Sequence, residues 1–486
     1  MVCLLNTVDY ISMVSIVPAQ YRSFLPRFYR LASVAVFSNM MVPLAGLCDA
    51  AFLGHLEDIN FLAGVILGGI LFDYLYRILK FLRNSTNTLT ANAVGAEDET
   101  AVLVTLLRCG LIALAIATVI LLLQYPIHKL GFAILSGPSE IERAGLSYFN
   151  ARIWGAPAVL LNFVLIGWFL GREMNGVVLM MSIVGNGTNV LFDYWMVLQW
   201  KWDSVGAGVA TALSQYLALL VGLVAVAATI NWKVLGAAWA KVMDSQALVS
   251  SIVLKGNILV RFLALISAYS IFTNLSASFG TDVLAENGLL LQIAMLSQFT
   301  VQGVGMTSQT LIGNFKGQEK TESILPVLRV AVVTGIAIAL TFALSTVFFP
   351  NTVFQLLTSH SEISQAMQHR TSWLIPLLSL TAAAFMLESY FTGIKDGATL
   401  RNGALLGFTV GFVPLVLGAV SLRNGYFQGS GYANVTAQQS QYLLWSALVG
   451  YMGVLLLFLI YRLFKVHPLR NQEDVQSCAD KAQPTT

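Results

Sequence analysis

Charge is scarce in this chain. Lys, Arg, Asp and Glu make up 10% of 486 residues, against 57% hydrophobic residues and a mean hydropathy of +0.74. No water-soluble fold of this length tolerates so little polar surface, so a bilayer must supply most of its surroundings. Cysteine is scarce too: Cys3, Cys48, Cys109 and Cys478 lie apart with no C-x-x-C spacing, which indicates neither a disulfide framework nor a thiolate metal site. The five histidines, at 55, 128, 360, 369 and 467, fall in or near loops, where they give no support to a buried relay or a zinc centre. The phosphate-cradling pattern G-x-x-x-x-G-K-[ST] is missing, which argues against a nucleotide-driven machine. No H-E-x-x-H and no Ser/His pair occurs within the apolar runs, so an intramembrane enzyme is not expected. The N-terminus lacks the order of a cleaved signal peptide; the first membrane helix serves that purpose.

What the chain has in abundance is apolar runs of roughly 20 residues, the length that crosses hydrocarbon as a helix. They run at about 31–53, 61–83, 102–124, 148–170, 177–198, 206–230, 258–279, 284–312, 326–348, 371–393, 403–422 and 441–464. The prediction is an all-α polytopic membrane protein with twelve transmembrane helices. A single offset of 222 residues relates its halves: Thr88–Glu97 is answered by Thr310–Glu319 with Thr, Leu, Asn, Gly and Glu in identical places. The same shift carries Phe163 to Phe385, Phe169 to Phe391 and Gly171 to Gly393. Six helices per repeat is an even number, so both lobes enter the membrane in the same sense and should be related by a pseudo-twofold axis along the membrane normal. Such a repeat points to a transporter.

The domain reading follows: a tail over 1–30, an N-lobe over 31–230, a linker over 231–257, a C-lobe over 258–465 and a tail over 466–486. The linker mixes Trp232 and Trp239 with Lys233 and Lys241, as an interfacial helix would. Loops and tails on the side of both termini hold Arg22, Arg27, Arg30, Arg172, Lys233, Lys241, Lys255, Lys316, Lys320, Lys395, Arg401, Arg462, Lys465, Arg470 and Lys481; the other side holds Lys129, Arg143, Lys201, Arg370 and Arg423. Basic residues are retained inside, so both termini are expected in the cytoplasm of a bacterial-type inner membrane.

Acids inside apolar runs cost about 2.5–3.5 kcal/mol each on insertion scales and are functional suspects. Asp49 follows Pro43 and Gly46 in the first helix, and Asp193 follows Asn189 by one helical turn in the fifth. A carboxylate beside an amide and a hydroxyl makes an oxygen-rich pocket for a proton or a hard monovalent cation. The competing reading is a satisfied packing carboxylate.

The segment Pro43–Leu56, the run Phe81-Leu82-Arg83 followed by Leu89-Thr90-Ala91, the stretch from Ala156-Pro157 through Gly171, and Leu400-Arg401-Asn402 resemble the multidrug and toxic compound extrusion (MATE) family, in its DinF-like branch. The similarity runs from about 28 to 465. It implies a two-lobed antiporter that expels small organic compounds in exchange for protons, the favoured ion, or sodium, with no cofactor. Carried over residue by residue, it places Asp49, Asn189, Asp193 and Thr211 on the family's N-lobe cation site. Glu388 stands where the branch usually has Asp, a possible C-lobe acid. Helix 8, however, shows Gln302-Gly303 and Gln309 where relatives are commonly acidic, which weighs against a C-lobe ion site.

Helix 2 departs from the resemblance. Asp73, Arg77, Lys80 and Arg83, at spacings of 4, 3 and 3, stack on one helical face. Asp73 and Arg77 are able to neutralise each other as a structural pair, but Lys80 and Arg83 leave a basic stripe. This stripe is expected to line a central cavity and to favour anionic or phenolic substrates. Aromatics such as Phe72, Tyr74, Tyr76 and Trp154 serve either the cavity or packing, and Arg152 and Arg261 are read as interfacial anchors or inter-helix ties rather than ligands. The expected partners are small organic substrates and the lipid bilayer, with no nucleic acid, and the chain is expected to be a monomer. The rival reading is a lipid-linked oligosaccharide flippase of the same superfamily.

Overall fold

The computed structural model describes residues 19–53, 59–135, 138–242, 244–355, 370–423 and 433–466, and every regular element among them is helical. The membrane helices are α1 Leu25–Leu53, α2 Ile59–Leu79 continuing as Phe81–Gly95, α3 Glu99–Leu122, α4 Ser139–Gly171, α5 Asn175–Gln199 and α6 Asp203–Thr229. The second set is α7 Ser245–Phe279, α8 Thr281–Gly317, α9 Ile324–Phe348, α10 Leu374–Gly393, α11 Gly397–Arg423 and α12 Ala433–Val466. Eleven of these are long and apolar enough to cross a bilayer, and α1, with 29 residues, makes the twelfth. Outward faces are apolar: Leu122, Val333 and Leu457 are 76%, 70% and 68% exposed. Their exposure is stable only against lipid.

The two sets repeat each other in detail. Non-glycine residues with left-handed backbone occur at Glu97 (φ 55°) and Glu319 (φ 59°), and again at Glu173 (φ 59°) and Lys395 (φ 65°). Each pair is separated by the offset of 222, so the turns after α2 and α8, and those after α4 and α10, are built alike. Six helices on, the chain is on the same side of the membrane, and both described ends lie on one face.

Most helices are longer than their apolar runs; α7, for example, begins at Ser245 rather than near 258. α2 continues from 83 to Gly95, α8 from 312 to Gly317, and α4 begins at Ser139 rather than near 148. The α2 extension is rich in hydroxyls and amides, which would not cross lipid. Here it is enclosed by protein: Ser85, Thr86, Thr88 and Thr90 are fully buried where α2 packs between α4 and α8. Between the lobes, the turn Trp232–Val234 and helix Leu235–Val242 lie across the end of α3, tied by Arg108 Nε to the Val242 carbonyl at 2.8 Å and by Asn231 Nδ2 to Glu99 Oε2 at 2.7 Å. Trp232 and Trp239 face outward, as an interfacial element requires.

Candidate functional site

The repeated motif forms the contact between lobes. On α2, the Asn84 carbonyl and Thr88 Oγ1 accept from Gln309 Nε2 at 2.8 and 2.9 Å, and Asn87 Oδ1 accepts from Thr310 Oγ1 at 2.9 Å. Asn92 Nδ2 reaches the Gly393 carbonyl at 3.1 Å. The two glycines of the motif allow the helices to touch. A β-carbon on Gly95 would stand 2.1 Å from the Asn314 carbonyl oxygen, and one on Gly317 would stand 2.2 Å from that of Asn92. At these two positions any larger residue forces the helices apart. Glu173 adds a tie across the same boundary, accepting from Arg27 and, at 2.8 Å, from Asn314 Nδ2. The lobes are therefore closed on the side of the termini.

A cavity of about 470 Å³ opens above this seam, mostly within the N-lobe, with Asn39, Pro43, Arg77, Lys80, Arg83, Arg152, Asn189 and Thr211 among its lining residues. Asn189 Nδ2 donates to Asp193 Oδ2 at 2.9 Å, and the carboxylate is 2% exposed, seated behind the amide. Thr211 Oγ1 bonds back to the Ala207 carbonyl at 2.8 Å. Immediately after Asp193 the helix widens into a π-turn over Tyr194–Gln199, a local irregularity often found at functional sites. Asp49 lies within helix α1, but its side chain falls outside the described residues.

The stripe on α2 divides. Arg77 and Asp73 stand 4.0 Å apart with Asp73 70% exposed, a loose pair worth little. Arg83 reaches Asn39 Oδ1 at 3.4 Å, while its Nε is buried without a hydrogen-bond partner. Lys80 sits where α2 loosens between its two segments. It lines the N-lobe cavity, a second cavity of about 220 Å³ shared with α7 and α8, and a small pocket in front of Glu388. Its ammonium rests 5.2 Å from the Phe299 ring centroid, and among the described residues no carboxylate pairs with it.

Arg152 and Arg261 act as the inter-helix ties that the sequence offers as one reading of them, and both also line these cavities. Arg261 holds Glu388 in a buried bidentate ion pair, so this acid is already neutralised. Arg152 lies over the Phe72 and Tyr148 rings, 4.7 and 5.5 Å from their centroids, and donates to Tyr148 Oη. Neither has a local motif around it; only the approach of distant helices brings them in. Counting Asp73, four cations and one described carboxylate line the N-lobe cavity.

A family model described as MatE matches residues 35–195 and 258–417, one stretch in each lobe. The chain belongs to the MATE family. Within this family it is 30% identical over 390 residues to the DNA damage-inducible protein F of Escherichia coli, covering 80% of this chain and 85% of that one. It is 23% identical to a probable multidrug resistance protein NorM of Thermotoga maritima, over 81% and 82% of the two chains. Among solved structures, a MOP superfamily transporter from Pyrococcus furiosus superposes with a TM-score of 0.78 at 18% identity, over 91% of this chain and 96% of that one. The two-lobed, twelve-helix fold is that of MATE transporters.

Proposed function

We propose that this MATE-family chain is a secondary active exporter of small organic compounds, driven by proton or sodium antiport with alternating access, and that its cavity favours anionic or phenolic substrates. It would work as a monomer, without a cofactor, in a bacterial-type inner membrane with both termini cytoplasmic. The observation that carries this reading is a single cavity whose wall combines Asn189, hydrogen-bonded to the buried Asp193, with the ammonium of Lys80, which pairs with no carboxylate among the described residues.

Asp49, Asn189, Asp193 and Thr211 are the proposed coupling set, and Arg77, Lys80 and Arg83, with Asp73 beside them, the substrate-facing set. Protons are the favoured coupling ion and sodium the alternative, since a carboxylate beside an amide and a hydroxyl can take up either. Glu388 would take up an ion only by giving up its pair with Arg261. With both termini inside, the closed seam corresponds to an outward-facing state, in which protonation of the acids precedes return. An organic anion and a proton attract each other in such a cavity. Their exclusion must therefore arise from shape, through bending of α1 near Pro43, rather than from charge repulsion.

The test is substrate-evoked collapse of a preset pH gradient in vesicles containing the purified protein, with and without sodium, beside Asp49→Asn and Asp193→Asn. Collapse without sodium, lost in both variants, is the expected result. Binding with no collapse under any ion overturns the antiport reading in favour of a flippase. Transport of an organic cation with undiminished affinity in Lys80→Gln would overturn the anionic assignment.

A further inference from the structure

Among the described residues, two donors on side chains that line the N-lobe cavity have no acceptor. Tyr76 is 8% exposed, its ring is stacked on Phe72 with centroids 5.6 Å apart, and its hydroxyl has no hydrogen-bond partner. Arg152, from α4, lies over the same Phe72 ring and uses one terminal nitrogen on Tyr148, while its Nε–H is buried and unsatisfied. The two side chains lie within electrostatic range of each other, and both line the cavity. Asp73 is also within range of Arg152, yet it makes no bond to it and is mostly exposed.

A buried donor without an acceptor costs about 1–3 kcal/mol, and two on side chains that line one cavity, one of them a cation, become complementary to an anion once a small rotation of either side chain opens them to it. The aromatic floor holds the guanidinium in place by stacking, so little ordering is required when a ligand arrives. We propose that Arg152 Nε–H and the Tyr76 hydroxyl form an acid-binding subsite that accepts the carboxylate, sulfonate or phenolate group of an aromatic organic anion. This subsite lies on α4 and the first segment of α2, apart from Lys80 and Arg83. It deepens the anionic reading above and rests on it, and it assigns a specificity-determining role to a residue that resembles an interfacial anchor in sequence.

The test measures binding of naphthalenesulfonate, naphthylmethylammonium and naphthylmethanol to the purified full chain by titration calorimetry. The unmodified protein is expected to prefer the sulfonate. Arg152→Gln should weaken it by at least about tenfold, and Tyr76→Phe, which keeps the stacked ring, by about three- to tenfold, as loss of hydrogen bonds to a charged group implies. Arg152→Lys, which keeps the charge but loses the Nε–H, should fall between them and the unmodified chain. Unchanged sulfonate binding in Tyr76→Phe and Arg152→Lys would mean that water satisfies these donors and would overturn the subsite. Binding lost in Lys80→Gln but not in these variants would overturn it too, while leaving the anionic reading intact. A preference for the ammonium probe by the unmodified protein would overturn both.

Discussion

Helices α2 and α8 occupy matching places in the two repeats, and over their last turns they are near copies. Gly95 packs on Asn314, and Gly317 packs on Asn92. One helical stretch earlier the likeness ends: at the same offset, Asp73, Arg77, Lys80 and Arg83 on α2 correspond to Met295, Phe299, Gln302 and Gly305 on α8. Lys80 and Gln302 even share the walls of two cavities. A contact across a twofold axis is made by both copies of the same residues, so a change in one copy spoils a fit that the other still needs. A cavity wall faces a ligand with no such symmetry, and the charges on its two sides are able to diverge. The seam keeps what the repeat began with, and the binding surface is where the halves part.

The lobes also differ in their buried acids, which stand at unrelated places in the repeat: Asp193 corresponds to Leu415 and Glu388 to Ile166. In the N-lobe, Asp193 is held by a neutral amide, whereas in the C-lobe Glu388 is held by a guanidinium. The largest expected effect breaks that contrast. Glu388→Gln leaves Arg261 buried and unpaired and should cost about 3–5 kcal/mol of stability, read as a lowered thermal midpoint in detergent. Replacing both residues by methionine should recover most of it. Recovery would mark the pair as structural; failure to recover it would mean that the pair supports the neighbouring cavity as well.

Next in size is the seam. Gly95→Val and Gly317→Val should each oppose closure by about 1–3 kcal/mol through overpacking. This is measurable as faster labelling of an introduced Ala96→Cys by a membrane-impermeant maleimide. Equal effects at the two positions uphold the symmetric contact, and unequal ones break it. A charge transfer sharpens the asymmetry: Lys80→Gln should weaken naphthalenesulfonate by about tenfold, and adding Gln302→Lys should restore much of the loss if the field of the cavity matters more than the lobe that supplies it. The smallest effect belongs to Arg27→Gln. Its ion pair with Glu173 is one-third exposed on the arginine side, so the shift in labelling should correspond to less than about 1 kcal/mol.

Much of this was legible in the chain itself. Twelve apolar runs gave twelve helices, because a segment of that length with so few charges has no other stable arrangement in lipid. The repeat Thr88–Glu97 and Thr310–Glu319 was visible as matching letters, but not as a contact. That α2 and α8 run on through a polar tract was hidden, since hydropathy registers lipid exposure and this tract is covered by protein. Asn189 and Asp193 could be paired by their spacing on one helix, and the structure adds their hydrogen bond. Arg152 and Arg261 could be read as anchors or inter-helix ties, but their partners were hidden: an arginine near a helix end looks the same whether it faces headgroups, a cavity or a buried carboxylate.

The sequence by itself determined the solvent, the number of helices, the twofold repeat and the charged face of α2, all of which depend on composition and on spacing along one helix. Only the tertiary structure decided which side of the lobes is closed, that Glu388 is neutralised, and that Tyr76 and Arg152 bring unsatisfied donors to the wall of one cavity. These depend on contacts between residues separated by up to 301 positions in the chain, and no local pattern encodes which distant helices meet.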